Sequence, residues 1–262
     1  MTTPILLLGA GRMGGALLAG WGLAKAFDPA QVMVRDPHPG EEAVASGAVL
    51  NPPDAELAKA RTVVLAVKPQ MWRGVAEAVA PLLAPDAVIV SIAAGVKAAD
   101  IAEAFGGRAV ARVMPTTAVA VRKGTASLYA ADPAARAVAH ALLDPVATTV
   151  DLDDEELLHA ATAVSGSSPA YLYAFVEALE AAGVAQGLTP EQSAALVRST
   201  MYGAADLMIA SGTDPAELRR QVTSPAGVTF EALKVLMAPE GFPSLTEKAC
   251  VEAVRRSKEL GG

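Results

Sequence analysis

Three glycines near the start of the chain have the spacing of a phosphate-binding loop. Gly9, Gly11 and Gly14 form the pattern G-x-G-x-x-G, which follows an apolar run and opens a helical run. In that context the first glycine permits a tight turn, the second lets backbone approach a pyrophosphate, and the third allows close helix–strand packing. The helix would direct free N–H groups and its positive dipole end at the phosphates. The pattern predicts a dinucleotide site, and a glycine-rich turn without a ligand is the alternative.

An acidic residue follows the second predicted strand, where a ribose contact is expected. Asp36 lies 22 residues after Gly14, and a carboxylate there would accept a hydrogen bond from a ribose 2′-hydroxyl, which favours NAD. Arg35 and His38 flank Asp36 and could instead bind a 2′-phosphate. All three could also be ordinary surface residues, so the sequence leaves NADPH and NADH both open.

Two further segments follow predicted strands, at the edge where open α/β sheets bind ligands. Residues 66–69 include Lys68-Pro69, for which a solvent-exposed lysine is the alternative. Residues 91–96, SIAAGV, are mostly small and would leave room for a nicotinamide ring, although close packing explains them equally well. The residues expected to contact the cofactor are Gly9, Gly11, Arg12, Met13, Gly14, Arg35, Asp36, Ala66, Val67, Lys68 and Pro69.

A break in the second half carries small hydroxyl groups but no strong acid or base. Residues 222–233, VTSPAGVTFEAL, interrupt an alanine-rich helical region. Carbonyl reductases usually add a proton donor such as histidine, lysine or tyrosine. A C=N substrate relaxes that requirement, because its nitrogen can bind already protonated and then needs mainly orientation and hydride delivery. Ser224 would cap a helix starting at Pro225, whose backbone N–H groups could hold a carboxylate. A plain Ser-Pro helix start is the alternative.

The composition narrows the classes of partner and location. The chain has 262 residues, of which 52% are hydrophobic and 19% charged, as in a globular protein with a substantial core. A net charge of -7 without a basic cluster argues against nucleic acid and anionic membranes as main partners. The single cysteine, Cys250, excludes an internal disulfide and a thiolate metal cluster. No apolar run reaches the roughly 20 residues that span a bilayer, and no signal sequence is evident. We therefore expect a cytoplasmic protein without a metal.

Alternating strand and helix patterns in the first half predict a parallel sheet covered on both faces. Runs rich in valine and isoleucine that do not alternate with polar residues are typical of doubly buried strands. Predicted strands cover residues 5–8, 32–34, 62–67, 87–92 and 110–113, with weaker candidates at 125–129 and 148–152. Predicted helices cover residues 12–25, 71–83, 98–105 and 134–143.

After Asp151 the sequence indicates helices alone. Pairs of a capping residue and a proline predict four helix starts, at Ser168-Pro169, Thr189-Pro190, Asp214-Pro215 and Ser224-Pro225. Gln192 would complete a capping box with Thr189. We therefore predict an α/β protein with a Rossmann-type dinucleotide-binding domain, residues 1–152, followed by an all-helical domain, residues 153–262.

The motifs of both halves together resemble the pyrroline-5-carboxylate reductase family. The first half contains GAGRMG, AVKPQ, SIAAGV and RVMPTT, and the second contains AVSGSSPAYLYAFVEAL, GVAQGL and LRRQVTSPAGVTFEAL, in the family's order. The resemblance runs from end to end. It implies reduction of the cyclic imine 1-pyrroline-5-carboxylate to L-proline with NADPH or NADH, the last step of proline biosynthesis. It also implies a homodimer built through the helical domain, and it leaves a ring of dimers open.

The resemblance also assigns roles in a substrate site. The hydroxyl of Thr229 would contact the ring nitrogen and donate or relay a proton. Ser224, Pro225 and Gly227 would seat the substrate carboxylate. Ser165 belongs to a wall, residues 165–171, where the two halves or two subunits would meet.

Three residues depart from the family pattern. Ala226 stands where glycine is usual, and we expect it to have a negative φ in the first turn of a helix. Val228 removes one hydroxyl. Thr116 stands where asparagine is usual, which affects an expected contact with the cofactor carboxamide or the substrate. These departures could mean a weaker enzyme or a shifted imine substrate.

Two alternative functions fit parts of the sequence. A related two-domain imine or β-hydroxyacid-type reductase would share the fold. The β-hydroxyacid enzymes need a catalytic lysine in a glycine-rich helix, and SGSSPAY has no lysine. A catalytically weak nucleotide-binding homologue would keep the fold without turnover, and the altered segment 114–121 is its only support.

Overall fold

A computed structural model describes residues 2–259 of the protein, which form one sheet and a set of helices. The strands are β1 (Ile5–Leu8), β2 (Val32–Arg35), β3 (Val49–Leu50), β4 (Thr62–Leu65), β5 (Val88–Ser91), β6 (Val110–Pro115), β7 (Gly124–Tyr129) and β8 (Ala147–Asp151). The helices are α1 (Arg12–Ala24), α2 (Glu41–Ala45), α3 (Asp54–Leu57), α4 (Trp72–Val79), α5 (Ala98–Ala104), α6 (Pro133–Leu143), α7 (Leu157–Ala161), α8 (Ser168–Ala185), α9 (Pro190–Ser211), α10 (Pro215–Gln221), α11 (Val228–Leu236) and α12 (Phe242–Glu259).

The sheet is doubly wound around its first strand. Its eight strands follow the order β3-β2-β1-β4-β5-β6-β7-β8. All neighbouring pairs are parallel except β6 and β7. The chain runs outward from β1 in one direction and then returns to place β4 on the other side. This reversal puts a crevice between the carboxyl ends of β1 and β4, where such sheets bind ligands.

Each face of the sheet carries its own apolar core. Ile5 and Leu7 of β1 belong to the core on one face, whereas Leu6 and Leu8 belong to the core on the other. All four side chains are at most 1% exposed. The continuous apolar runs of the central strands therefore reflect burial on both sides, which confirms the predicted α/β fold class.

All seven predicted strands are present, with bounds that agree within two residues. The prediction missed β3, α2, α3 and α7, which are too short to show a clear period. The predicted helix 71–83 is wrong in its extent, because α4 ends at Val79 and a 3-10 turn, Ala80–Leu82, follows. Pro81 lies in that turn and has no N–H to continue an α-helix.

The chain divides into two compact units. The described part of the first, the sheet unit, consists of residues 2–166 and 252–259, and the second, the helical unit, consists of residues 167–251. The predicted boundary between residues 152 and 153 stays a prediction. Helix α7 and the π-helical turn that follows it, Thr162–Gly166, belong to the sheet unit.

Three of the four predicted helices begin within one residue of the predicted start, and two of these have the predicted cap. Thr189 and Gln192 form the predicted capping box, and Asp214 caps α10. Ser168 does not cap, because the preceding residue, Ser167, already has helical backbone where the π-helical turn runs into α8. The start predicted at Ser224 is described with the candidate site.

Candidate active site

The turn after β1 requires glycine at two of its three fingerprint positions. Gly9 has a φ of +93°, and a Cβ atom there would lie 2.8 Å from the carbonyl oxygen of Ala66. A Cβ atom on Gly14 would lie 2.2 Å from the carbonyl oxygen of Gly9. Both distances are too short for any side chain. The loop therefore packs against the segment after β4 and against the first turn of α1, as its spacing predicts.

The space next to Gly11 is open. Apart from Gly11 and its two chain neighbours, no atom lies within 4 Å of the place where a Cβ atom on Gly11 would be. Gly11 precedes α1 without a side-chain cap, and the first turn of α1, which begins with Arg12 and Met13, has no acidic residue. The first N–H groups of a helix have no partner within it, so they remain available to an anion.

The predicted ribose acid is held in place by backbone groups. The carboxylate of Asp36 accepts hydrogen bonds from the N–H of Ala10 at 2.7 Å and from the N–H of His38 at 2.8 Å. Asn51 fixes the same residue, because its side chain bonds the backbone N–H and carbonyl of Asp36 at 3.1 and 2.9 Å. These contacts orient the carboxylate toward the glycine loop, and each oxygen keeps a further lone pair for a hydroxyl.

Arg35, which precedes Asp36 in the chain, has a side-chain partner of its own. The Arg35 guanidinium forms an ion pair of 2.6 Å with Asp54, and both side chains are exposed to solvent. Asn51 follows β3 directly and was not predicted to belong to the site; its φ is positive, at 46°. An asparagine before proline with such a φ is a common turn residue, so its link to Asp36 had no local signal.

The segment after β4 lies directly beside the glycine loop. The N–H of Ala66 donates to the carbonyl of Leu8 at 2.8 Å. A methyl carbon of Val67 lies 3.0 Å from the Cβ position of Gly9. Lys68 is exposed and precedes a 3-10 turn, Pro69–Met71. The structure thus brings the two predicted cofactor segments together at the reversal of strand order.

Thr116, one of the departures from the family pattern, has a structural contact. Its hydroxyl oxygen accepts a hydrogen bond of 3.0 Å from the N–H of Thr125, and its own N–H donates to the Thr125 carbonyl at 2.9 Å. Thr116 is buried. The side chain therefore stabilises the connection between β6 and β7.

The hydroxyl-rich break in the helical unit is a turn and not a helix start. The prediction that Ser224 caps a helix beginning at Pro225 is wrong, because α11 begins at Val228 and Gly227 precedes it. The expected negative φ of Ala226 is also wrong, since its φ is +57°. The N–H of Gly227 donates to the carbonyl of Ser224 at 3.1 Å. A proline followed by a left-handed residue inside such a bond is the pattern of a type II turn.

The turn leaves polar groups at the start of α11 accessible. Thr229 is the second residue of α11 and is exposed. Gly227 provides no side-chain cap, so the first N–H groups of α11 have no partner in the helix. Ser224 is exposed too, and its Oγ lies beside Gly227, 2.3 Å from where a Cβ atom would be. Hydroxyls and helical N–H groups of this kind can hold an anion.

Ser165 lies in the sheet unit, within the π-helical turn. Its hydroxyl donates to the carbonyl of Ala161 at 2.8 Å. A π-helical turn inside a helix is frequent at functional sites. Ser165 was predicted to line a wall of the substrate site, and no feature of the sequence indicated the π-helical turn.

Two histidines take part in side-chain networks that the sequence did not predict. Nδ1 of His159 lies 2.8 Å from the hydroxyl of Ser257. Burial is the largest influence on His159 and lowers its pKa, so the ring is neutral at pH 7. His140 lies between Asp144 and Asp151, at 3.1 Å from each. Burial alone would lower its pKa, but the hydrogen bonds and charges of the two aspartates together raise it.

Among residues 2–259 no group of three or more histidine, cysteine, aspartate or glutamate side chains could hold a metal ion. Within the same residues, no helix has the length and apolar character that crossing a membrane would require.

The fold and the glycine loop define a class, the Rossmann-type nicotinamide-dependent oxidoreductases with a following helical part. Residues 4–95 match the family model described as "NADP oxidoreductase coenzyme F420-dependent". Residues 155–260 match the model for pyrroline-5-carboxylate reductase dimerisation.

Whole-chain comparisons identify the family. The pyrroline-5-carboxylate reductase of Pseudomonas aeruginosa is 41% identical over 99% of this chain and 98% of its own length. The structure of a pyrroline-5-carboxylate reductase from Coxiella burnetii covers 100% of both chains with a TM-score of 0.90 and 30% identity. A Plasmodium falciparum pyrroline carboxylate reductase with NADP bound covers 98% of both chains, with a TM-score of 0.86 and 26% identity. This chain belongs to the pyrroline-5-carboxylate reductase family.

Proposed function

We propose that this protein reduces 1-pyrroline-5-carboxylate to L-proline with NADPH or NADH, as the last step of proline biosynthesis. The observation that carries the proposal is that the same chain contains a dinucleotide loop and a second turn without a strong acid. The turn at residues 224–229 offers hydroxyls and helical N–H groups and no histidine, lysine or carboxylate. That set suits a substrate that carries its own carboxylate and a basic nitrogen.

The cofactor contacts are proposed for the glycine loop and the strand ends around it. The N–H groups at the start of α1 would hold the pyrophosphate, and Asp36 would accept a hydrogen bond from the ribose. Val67 and its neighbours in residues 66–69 would border the nicotinamide end. When bound, the reduced nicotinamide supplies the hydride.

The substrate contacts are proposed for the turn before α11. Ser224, Pro225, Gly227 and the first N–H groups of α11 would hold the carboxylate, and Ser165 would line the wall of the site. Thr229 would donate a hydrogen bond to the ring nitrogen. The imine carbon gains the hydride, the C=N double bond becomes single, and the nitrogen keeps the proton that it carried into the site or received through Thr229. The products are then proline and the oxidised cofactor.

The proposal is tested by incubating the purified protein with pyrroline-5-carboxylate and each reduced cofactor in turn, while absorbance of the reduced cofactor is followed. We expect substrate-dependent oxidation with at least one of the two cofactors. No oxidation with either would refute the enzymatic proposal and leave the nucleotide-binding homologue. Reduction of NAD⁺ with a β-hydroxyacid as the substrate, without oxidation of NADH or NADPH by the imine, would favour the related reductase.

Variants at Thr229 test the role of its hydroxyl. Thr229→Ala should lower kcat by about a hundredfold, a typical share for a proton donor, and leave cofactor affinity unchanged. Thr229→Ser keeps the hydroxyl and serves as the matched control, with most of the rate retained. An unchanged kcat in Thr229→Ala would remove Thr229 from the catalytic role.

A homodimer is proposed because the helical unit has almost no core of its own. Among residues 167–251 only Ser193 and Val197 are buried. Large apolar side chains in the same unit are exposed, including Ile209 at 78% and Val235 at 73%. An apolar surface of this extent marks an association site, and a second copy of the chain is the partner that the dimerisation match suggests.

Light scattering coupled to size exclusion tests the assembly. A mass of two chains supports the dimer, a larger even multiple supports a ring of dimers, and a monomer at micromolar concentration would refute both. The cytoplasmic location stays a prediction.

A further inference from the structure

The carboxylate of Glu155 joins three elements of the sheet unit. Its Oε1 atom accepts a hydrogen bond of 2.8 Å from Nη1 of Arg112 and one of 2.6 Å from the backbone N–H of Ala98. Arg112 lies on β6, and Ala98 is the first residue of α5. Glu155 itself lies in the turn that leads into α7. A single oxygen atom therefore links a strand, the start of one helix and the approach to another.

Both charged side chains lie largely away from solvent. The side chain of Arg112 is 6% exposed and that of Glu155 is 22% exposed. A buried charge that loses its partner is strongly destabilising, so each group depends on the other. The pair is for this reason unlike the exposed ion pairs of the helical unit, which water screens.

The backbone around Glu155 is also fixed. Leu158, one turn further on, is 3% exposed and packs in the sheet unit. His159 follows and bonds the hydroxyl of Ser257 through Nδ1. The N–H of Leu158 donates to the carbonyl of Glu155 at 3.0 Å. These contacts fix the backbone of Glu155, so its carboxylate can hold the N–H of Ala98 in place.

The segment that this frame holds is residues 92–97, between β5 and α5. Its first end follows Ser91, which pairs with Arg112 in the sheet register. Its second end is followed by Ala98, whose N–H donates to the carboxylate of Glu155. The segment leaves the sheet at the carboxyl edge, next to β4, and the N–H of Ile92 donates to the carbonyl of Leu65 at 3.1 Å. It is therefore the neighbour of residues 66–69 in the proposed cofactor site.

We propose that Glu155 is a positioning residue, which with Arg112 holds residues 92–97 against the nicotinamide end of the cofactor site. This inference depends on the proposed function for the place of the nicotinamide. Its carboxylate is occupied by Arg112 and by the N–H of Ala98, so Glu155 acts through the backbone that it holds. Loss of the bond to Ala98 would leave the segment free to shift, and a shift of about 1 Å near reacting groups can cost about a hundredfold in rate.

Three substitutions at Glu155 separate geometry from charge. Because one oxygen accepts both hydrogen bonds, Glu155→Gln can reproduce both through its amide oxygen. It removes the counter-charge of Arg112, so its melting temperature should fall while the geometry is kept. Glu155→Asp is too short to reach both donors, and Glu155→Ala has no acceptor. We expect kcat to fall by about tenfold to a hundredfold in Glu155→Ala and Glu155→Asp, with KM for the imine changing less than about threefold, and Glu155→Gln to keep most of the rate. Equal loss in Glu155→Gln and Glu155→Ala would overturn the positioning role.

Arg108→Ala is the control for a purely structural defect. Arg108 also lies in the sheet unit and donates to the backbone carbonyls of Ala80, Leu83 and Ala84. Its loss should lower the melting temperature with little change in kcat. If Glu155→Ala and Arg108→Ala lower kcat equally at an equal loss of melting temperature, Glu155 has only a structural role and the inference is wrong.

Deuterium exchange in the protein without cofactor provides a readout that does not depend on activity. Peptides covering residues 92–104 should exchange faster in Glu155→Ala than in the parent protein or in Glu155→Gln. Unchanged exchange in Glu155→Ala would overturn the inference. A parent protein without reductase activity but with this exchange pattern would refute the proposed function alone. An active parent protein with a fully active Glu155→Ala variant would refute the positioning role alone.

Discussion

Replacing Ala226 by glycine should stabilise the protein, although alanine-to-glycine changes usually do the opposite. Ala226 has a φ of +57° in the turn before α11. In that region the Cβ atom of an L-residue lies too close to the following carbonyl oxygen, and glycine avoids the clash. The side chain of Ala226 is exposed, so its removal costs little packing.

The magnitude follows from two opposing terms. Left-handed backbone costs a residue with a Cβ atom about 1–2 kcal/mol. Glycine increases the conformational entropy of the unfolded chain, which costs about 0.4–1 kcal/mol. The middle of the two ranges leaves a net stabilisation of about 0.8 kcal/mol for Ala226→Gly, large enough to measure by urea denaturation at a fixed protein concentration.

A second alanine-to-glycine change provides the matched control. Ala137 is exposed within α6, where φ is helical. Ala137→Gly should therefore destabilise by about 1 kcal/mol, the usual cost of glycine inside a helix. The same chemical change should thus give opposite signs at the two positions. If Ala226→Gly destabilises the protein as Ala137→Gly does, the reasoning from the left-handed turn is refuted.

Three further predictions concern the sheet unit. Gly11→Val should fold normally, because the Cβ position is open. It should lose NADPH binding in a fluorescence titration, since the side chain would occupy the space proposed for the pyrophosphate. Retained affinity for NADPH would contradict this prediction. Arg108→Ala should lower the free energy of unfolding by about 2–3 kcal/mol, because carbonyls that accept from a charged donor lose their partner; a loss below about 0.5 kcal/mol would argue against it. His140 has a raised pKa in the folded protein, so its contribution is present below its unfolded pKa of about 6.5 and is lost as pH rises through the folded value. Stability measured against pH should therefore fall more over that range in the parent protein than in His140→Gln, and parallel curves would exclude the effect.

The sheet unit could be predicted from sequence because its signals are local and repeated. The apolar runs of β1, β4 and β5 are buried on both faces, so they have no polar alternation to confuse their assignment. The glycine fingerprint specifies a backbone path within six residues. Its partner after β4 could be placed as well, since the carboxyl ends of neighbouring parallel strands meet at one edge.

The turn before α11 shows where local rules failed. Ser224-Pro225 satisfies the same pattern as Asp214-Pro215, and only the second begins a helix. The difference lies in Ala226, whose left-handed backbone delays the helix to Val228. Propensity favours a negative φ for alanine, so a sequence rule assigns the helix too early.

The link between Arg112 and Glu155 shows a different limit. The two residues are 43 positions apart and meet only because the turn that leads into α7 returns to β6. Arg112 begins the segment RVMPTT, but nothing in that segment indicates a partner 43 residues further on. Ala98 contributes a backbone atom that every residue type has. Contacts of this kind depend on tertiary structure and leave no pattern in the sequence.

The scarcity of buried side chains in the helical unit has a consequence for a cell that makes two versions of the protein. In the proposed dimer the apolar side chains of one chain complete the core of the other, so neither helical unit is finished until subunits combine. A chain with a folding defect in α8 or α9 would pass that defect to an intact partner. Random pairing of equal amounts of intact and defective chains would leave only about a quarter of the dimers without a defective subunit.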